Sequence, residues 1–424
     1  MRILLVSSTF PPCQNAESIL VARTSHELAR LNHGVDILTT REEDSLGPKD
    51  PSILPSGTFP CTIYRTGSLE RLLFGTKGIR RFARYLIQSF GIPEPQAFWV
   101  FSSILRGRSV IRRSGTDIIY SRASYHTSNI VGLALKKLTG LPWLAHFSDP
   151  WVDNKYLQLS PMQRRTCRLL EYHVVRDADA IVFVNPQMRD LIMAKYPRAW
   201  SARTHIIPHG FDTSLIARYG IRKREQPILR IVHVGTFYGP RTPAPLLHAL
   251  ALLQTRTSYS KDLRIDLVGE NALTFTPLVR ELNLQDVVDI RDRVQYHEGL
   301  QAMADADVLL LIDAPAEGGG IFLPSKLIDY LMYEKPILGI TPTSGPAATI
   351  LRRLEYPVVD PRDIEGICSV IDQLILLHKS HRLHASLNHK LVAGDFDNIA
   401  TTRALSELLV ATRCNGTKIP SSAN

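Results

Sequence analysis

Long apolar runs are missing from this sequence. None approaches the ~20 consecutive apolar residues that a membrane-spanning helix needs, although 44% of the 424 residues are hydrophobic. Cysteine is scarce as well. Cys13, Cys61, Cys167, Cys368 and Cys414 are odd in number and scattered, with no CxxC pair and no Cys/His ligand spacing. That excludes a disulfide scaffold and argues for reduced thiols without structural zinc. GxGxxG is absent from both strand-to-helix turns, Ser7–Ala16 and Gly235–Arg241, so the dinucleotide fingerprint is missing. No Ser/His/Asp set stands in a GxSxG context, which leaves hydrolase chemistry without support. Met1–Ser7 enters a strand pattern directly, and its apolar stretch is too short for a signal peptide. The expected compartment is the cytoplasm.

What is present is a basic excess that is unevenly spread. Between Arg65 and Arg113 lie ten Lys/Arg residues against Glu70 and Glu94, a net +8 of the chain's +10. Such a concentration implies an anionic partner: a membrane surface, a lipid-linked phosphate or nucleic acid. Nucleic acid is the weakest of these, because aromatic residues there follow helix periodicity rather than a stacking platform.

The periodicity predicts an α/β chain of two doubly wound halves. Strand Ile3–Ser7, helix Glu17–Asn32 and strand Val35–Thr39 form a βαβ opening. On that helix Arg23, Glu27 and Arg30 oppose an apolar face of Leu20, Val21, Thr24, Leu28 and Leu31. Residues 45–62 read as a loop. Further strands are expected at Ile118–Ser121, Trp143–Phe147, Ala180–Val184 and His205–Ile207. The pattern restarts with strand Ile228–Val234, turn Gly235–Arg241 and helix Pro243–Gln254. Strands follow at Leu263–Val268, Asp307–Ile312 and Pro336–Ile340, and helices at Ile367–Leu377 and Ile399–Leu409. The domains are read as 1–213, with 395–424 packing back on it, and 214–394, the boundary lying near 213–227. The last dozen residues read as disordered. Two such sheets place a ligand at the strand C-terminal ends, in a cleft between domains.

The most informative stretch runs from Ala316 to Leu331, AEGGGIFLPSKLIDYL. It leads from a strand into a helix, with Pro324 suited to the first helical position. Backbone N–H groups at Ser325 and Lys326 would face an anion there, and Lys326 in a first turn is electrostatically disfavoured without one. Asp329 is one turn deeper, on the same face. Together they make a nucleoside diphosphate clamp, with Asp329 for ribose hydroxyls; a Lys326–Asp329 intrahelical pair is the alternative. Arg241, in the turn that opens the second half, is a second phosphate-facing candidate, or a solvated loop residue. In the first half, AHFSDPW ends a strand at His146 and Asp149. Either suits acceptor contacts or proton transfer; a core histidine and a capping aspartate are the alternatives.

These segments, in order, resemble the family-4 glycosyltransferases, retaining enzymes of GT-B fold. ILLVSSTFPP, RLNHGVDILTT, WLAHFSDPW, ADAIVFVNP, IIPHGFD, HVGTFYGPR, ADADVLLLI and PSKLIDYLMYEKPILGI carry the likeness over nearly the whole chain. The resemblance implies an N-terminal acceptor-binding domain and a C-terminal donor-binding domain, with a C-terminal helix returning to the first. It places the ribose-binding acid on Asp329. The family's preceding glutamate falls on Ile321, with Glu317 and the Gly319-Gly320 loop as substitutes for donor-sugar contacts. The phosphate-binding pair falls on Thr236 and Arg241, with Lys326 supplying the second charge.

By the same resemblance the reaction transfers a sugar from a nucleotide sugar to a hydroxyl with retention, needing neither metal nor other cofactor. A lipid-linked or polysaccharide acceptor in cell-surface glycan biosynthesis fits the basic segment. There a helix over Ile79–Phe90 sets Arg80, Arg81 and Arg84 beside an apolar face, able to rest on the anionic inner face of a membrane. A core-packed helix with a solvated basic face is its alternative. Rival activities are a nucleotide-sugar epimerase of the same fold and a non-catalytic nucleotide-sugar binding protein.

Overall fold

The structure, a computed structural model, describes residues 1–54, 59–75, 77–220, 228–257, 259 and 261–416. Residues 55–58 of the expected loop, 221–227 of the expected boundary region and 417–424 of the tail lie outside them. The chain divides into two compact units, Met1–His209 with the C-terminal segment from Asn398, and Gly210–Asp397.

Among the described residues, the first unit has seven strands: β1 Arg2–Val6, β2 Gly34–Thr40, β3 Thr62–Thr66, β4 Ile118–Ala123, β5 Trp143–Phe147, β6 Ala180–Phe183 and β7 Thr204–Ile206. They lie in the order β3-β2-β1-β4-β5-β6-β7, all pairs parallel. The second unit has β8 Leu229–Val234, β9 Leu263–Val268, β10 Val288–Arg291, β11 Val308–Ile312, β12 Ile337–Ile340 and β13 Val358–Val359. Their order is β10-β9-β8-β11-β12-β13, again parallel. Parallel sheets are covered by helices on both faces, which is why Ile3-Leu4-Leu5-Val6 and Val308–Ile312 are apolar without alternation and almost wholly buried. Strand order reverses between β1 and β4, and between β8 and β11. Ligand sites of such sheets form at these reversals.

Three strands escaped the sequence reading: β3, β10 and β13. Each is an edge strand with only part of its length buried, so it lacks the apolar run that marks central strands. The first helix is Ala16–Arg30, capped by Asn15, whose side chain accepts from Ser18 N–H at 2.8 Å. Its charged side is not a solvent face, because Arg23 and Glu27 are buried. The C-terminal helix Asn398–Gly416 packs on it, with Asn398 donating to Arg23 O and Ser406 bonding His33 at 2.7 Å. Residues 413–416, expected to be disordered, are the last turn of that helix.

The basic helix is Lys77–Ser89. Of its expected apolar face, Ala83 and Ile87 are buried, packed with Phe74, Leu73, Ile92 and Phe98. Ile79, Phe82 and Phe90 are exposed, as is Tyr85.

Candidate active site

Strands β8 and β11 pair across the reversal of the second sheet, and residues just beyond their ends converge. Asp313 follows the apolar run of β11 and is buried. Its Oδ1 accepts from Ala314 N–H at 2.9 Å and from Arg241 Nη2 at 2.7 Å. Arg241 comes from the turn after β8, and both side chains are only 8% exposed, so the pair is largely desolvated. The guanidinium carbon also stands 4.7 Å from the centroid of the Tyr238 ring.

His233, on β8, is fully buried and stacked on Phe237 with centroids 4.8 Å apart. Its Nδ1 lies 2.9 Å from Leu310 O, which makes that nitrogen the protonated one. Nε2 is then an acceptor, and Lys326 Nζ donates to it at 3.3 Å. Burial, aided by Lys326 and Arg241, holds His233 well below the ordinary histidine range, so the ring is neutral. Burial and then Arg241 push the Lys326 ammonium well below the usual lysine range, with Asp313 pulling it back. Arg241 and Lys326 therefore both lie near the Asp313 carboxylate, with the neutral His233 imidazole accepting from Lys326. Lys326 also presses on the main chain: a Cβ at Gly235 would stand 2.5 Å from its Nζ, and one at Gly269 would stand 2.2 Å from Gly235 O.

In the first unit, His146 on β5 is buried and its Nδ1 is 2.9 Å from Tyr120 Oη. Burial, then Arg122 and His209, hold it well below the ordinary histidine range. Asp149, just beyond the same strand, is half-buried. Beside them Arg122 is enclosed, donating to Glu17 at 2.9 Å and Thr24 at 3.0 Å, with His209 Nδ1 3.1 Å from its Nη2.

A family model for the glycosyl transferase 4-like domain matches residues 19–210. Sucrose-phosphate synthase from Thermosynechococcus elongatus superposes with a TM-score of 0.70 at 17% identity, covering 98% of this chain and 100% of that one. HepE of Anabaena in complex with UDP-glucose superposes at 0.63 with 15% identity, over 97% and 100% of the chains. The apo lipopolysaccharide outer core galactosyltransferase WaaB gives 0.58 at 15% identity, over 97% and 99%. At these identities the likeness shows the GT-B fold alone. No curated protein matches the chain. Over residues 19–210 the chain is thus similar to the glycosyl transferase 4-like domain, and over its length it shares the fold of these solved structures.

The structure brings Arg241 and Lys326 together, with Thr236 half-buried in the same turn as Arg241. The intrahelical Lys326–Asp329 pair does not form, since Lys326 bonds His233 instead. Ser325 opens the helix Ser325–Tyr330, and Pro324 is the residue before it rather than its first. That helix is six residues long, so its dipole is a smaller part of the site than the sequence implied. Asp329 is half-buried on it, and its charge adds to burial, the main cause, in raising the neighbouring Tyr330 hydroxyl. Glu317 is exposed, Gly319 takes φ 97°, and Gly320 N–H donates to Ser344 O at 2.8 Å. Asp313 and His233 were missed. The signal for Asp313 was available, as a carboxylate directly after a buried apolar strand marks a sheet's ligand end. His233 had no such signal, because a histidine within a strand reads as core.

Proposed function

We propose that this protein is a glycosyltransferase that moves a sugar from a nucleoside-diphosphate sugar to an acceptor hydroxyl, with retention at the anomeric carbon, as a step in cell-surface glycan assembly. The observation that carries the reading is the convergence of Arg241 and Lys326 beside Asp313, just past the ends of β8 and β11. A diphosphate is the ligand whose charge complements two adjacent cations at that place. HepE, with the same fold, holds UDP-glucose, which is in keeping with this assignment.

Arg241 braced by Asp313 and Lys326 braced by His233 present donors to the leaving diphosphate, stabilising charge that grows as the anomeric C–O bond breaks. The new bond forms on the same face, and the acceptor proton passes to the departing phosphate. The protein's contribution is position and charge, supplied by these two cations without a metal. Asp329 binds ribose, Ser325 and Thr236 add phosphate contacts, and Glu317 with Gly319 and Gly320 borders the sugar. On the acceptor side Asp149 contacts the hydroxyl, while His146, enclosed in the sheet, positions the strand end through Tyr120.

The acceptor is a lipid-linked glycan, reached while the helix Lys77–Ser89 rests on anionic lipid at the cytoplasmic face. Exposed Phe82, Tyr85 and Phe90 beside Arg80, Arg81 and Arg84 suit that interface. Among the described residues, no helix is long and apolar enough to cross a membrane.

A thermal-shift screen of nucleotide sugars identifies the donor, and NMR of the product reports its anomeric configuration. Inversion would remove the retaining mechanism. Isomerised donor without any acceptor would replace transfer by epimerisation, and donor binding without turnover under any acceptor would leave a binding protein.

A further inference from the structure

The first unit carries a pocket that the donor reading does not use. It opens past the C-terminal ends of β1, β2 and β3, lined chiefly by Ser8, Thr9, Cys13, Arg41, Lys49 and Arg65, with Glu42 as its one acid. Arg65 is already engaged. It donates to Pro11 O at 2.5 Å and Thr40 O at 3.3 Å, and pairs with Glu42 at 3.2 Å. Arg41 and Lys49 make no ion pair among the described residues, so the pocket keeps two unbalanced cations.

The floor is polar in a matching way. Ser8 is 6% exposed, and its hydroxyl has no hydrogen-bond partner, although its backbone N–H is satisfied by Ser128 Oγ at 3.0 Å. A buried hydroxyl left unpaired is costly, so a ligand oxygen is the natural complement. Thr9 Oγ1 accepts from Asn15 Nδ2 at 2.8 Å, which directs its own proton elsewhere. Two hydroxyl donors and two cations around one small space match the several acceptor oxygens of a phosphate.

We infer that this pocket binds a phosphate group carried by the acceptor. The word acceptor rests on the transferase reading above; the phosphate site does not. The phosphate belongs either to a soluble sugar phosphate or to a polyprenyl phosphate carrier.

Calorimetric titration of the full chain with glucose 6-phosphate, with glucose, and with phosphatidylcholine vesicles with and without polyprenyl phosphate separates these sources. UDP serves as the probe of the other unit. Saturable binding of glucose 6-phosphate but not glucose is expected for a soluble source; binding only to vesicles bearing polyprenyl phosphate is expected for a lipid source. Either must weaken about tenfold or more in the Arg41→Ala/Lys49→Ala variant, with UDP affinity unchanged. Both residues are exposed, so the fold survives their loss. Ser8→Ala, which keeps both cations, should weaken the same binding by a smaller factor. Equal binding of the phosphate probe by wild type and the double variant overturns the inference, as does failure of every phosphate probe to bind wild type. UDP binding without any phosphate-probe binding removes this site and leaves the transferase reading. The reverse pattern removes the transferase reading and leaves the site.

Discussion

Donor binding should draw a proton onto Lys326. In the free protein the ammonium is desolvated and repelled by Arg241, and both effects lower its proton affinity well below the ordinary lysine range. A diphosphate placed against it reverses the balance. The bound state therefore holds the proton more tightly than the free one. By linkage, affinity is greatest below the free-state pKa of Lys326 and falls as pH rises through it, by up to about tenfold per pH unit.

Titrating UDP between about pH 7.5 and 9.5 keeps the nucleotide's terminal phosphate, with its second pKa of roughly 6, fully ionised. Calorimetry in two buffers of different ionisation enthalpy then gives the number of protons taken up, expected to be positive wherever the pH lies above the free-state pKa of Lys326. Lys326→Met abolishes the uptake and removes one charge-assisted contact of about 1.5–3 kcal/mol, which corresponds to roughly 10- to 150-fold in Kd. Equal uptake in the variant, or affinity within about twofold of wild type, would refute the placement of Lys326 at the phosphate.

Removing the Asp313 carboxylate by Asp313→Ala breaks the buried ion pair with Arg241 and should cost about 3–5 kcal/mol in denaturant unfolding; a loss under about 1 kcal/mol would mean that the pair is solvated. Gly235→Ala, at φ 157°, should cost some stability and also displace the flexible end of Lys326, weakening UDP binding, whereas Gly269→Ala, at φ 148°, meets backbone as well and should destabilise the unit more; calorimetry and melting curves of both variants decide this, and the opposite order contradicts the packing. Burial, aided by Glu94 and Asp44 and opposed by Gln96, pushes the Glu70 carboxyl up to about 7. Stability is then full below the ordinary carboxyl range and is lost as pH rises through 7, by roughly 3 kcal/mol in all; Glu70→Gln should flatten that profile in pH-dependent melts. Replacing Arg80, Arg81 and Arg84 by Ala should weaken co-sedimentation with anionic liposomes roughly 100-fold, at about 1 kcal/mol per residue, and equal pelleting would take the helix off the membrane.

The architecture was legible because central parallel strands are apolar on both faces, so Ile3–Val6 and Val308–Ile312 announce themselves without any partner in view. Edge strands were not: Val288–Arg291 and Val358–Val359 resemble loop until their neighbours are known. Arg241 and Lys326 stood out as candidates from their place at strand-to-helix turns, and the structure brings the two side chains together. Their supports were not legible, because Asp313 lies 72 residues from Arg241 and His233 lies 93 from Lys326, and no periodicity reports such pairings. The burial of Arg23 and Glu27, opposite the apolar face, was not legible for the same reason, since the helix that packs on theirs is at the far end of the chain.

That distance has a consequence for biosynthesis. Arg23 O and the Asn398 side chain that covers it are separated by 375 residues. At translation rates of about 5–20 residues per second, the covering helix emerges roughly 20–75 s after its site. During that interval the first helix carries an uncovered groove while the entire second unit is being made. The nascent first unit thus exposes that surface until the last segment of the chain has been made. Release of the C-terminal helix from the ribosome, rather than completion of either sheet, sets the moment when the first unit closes.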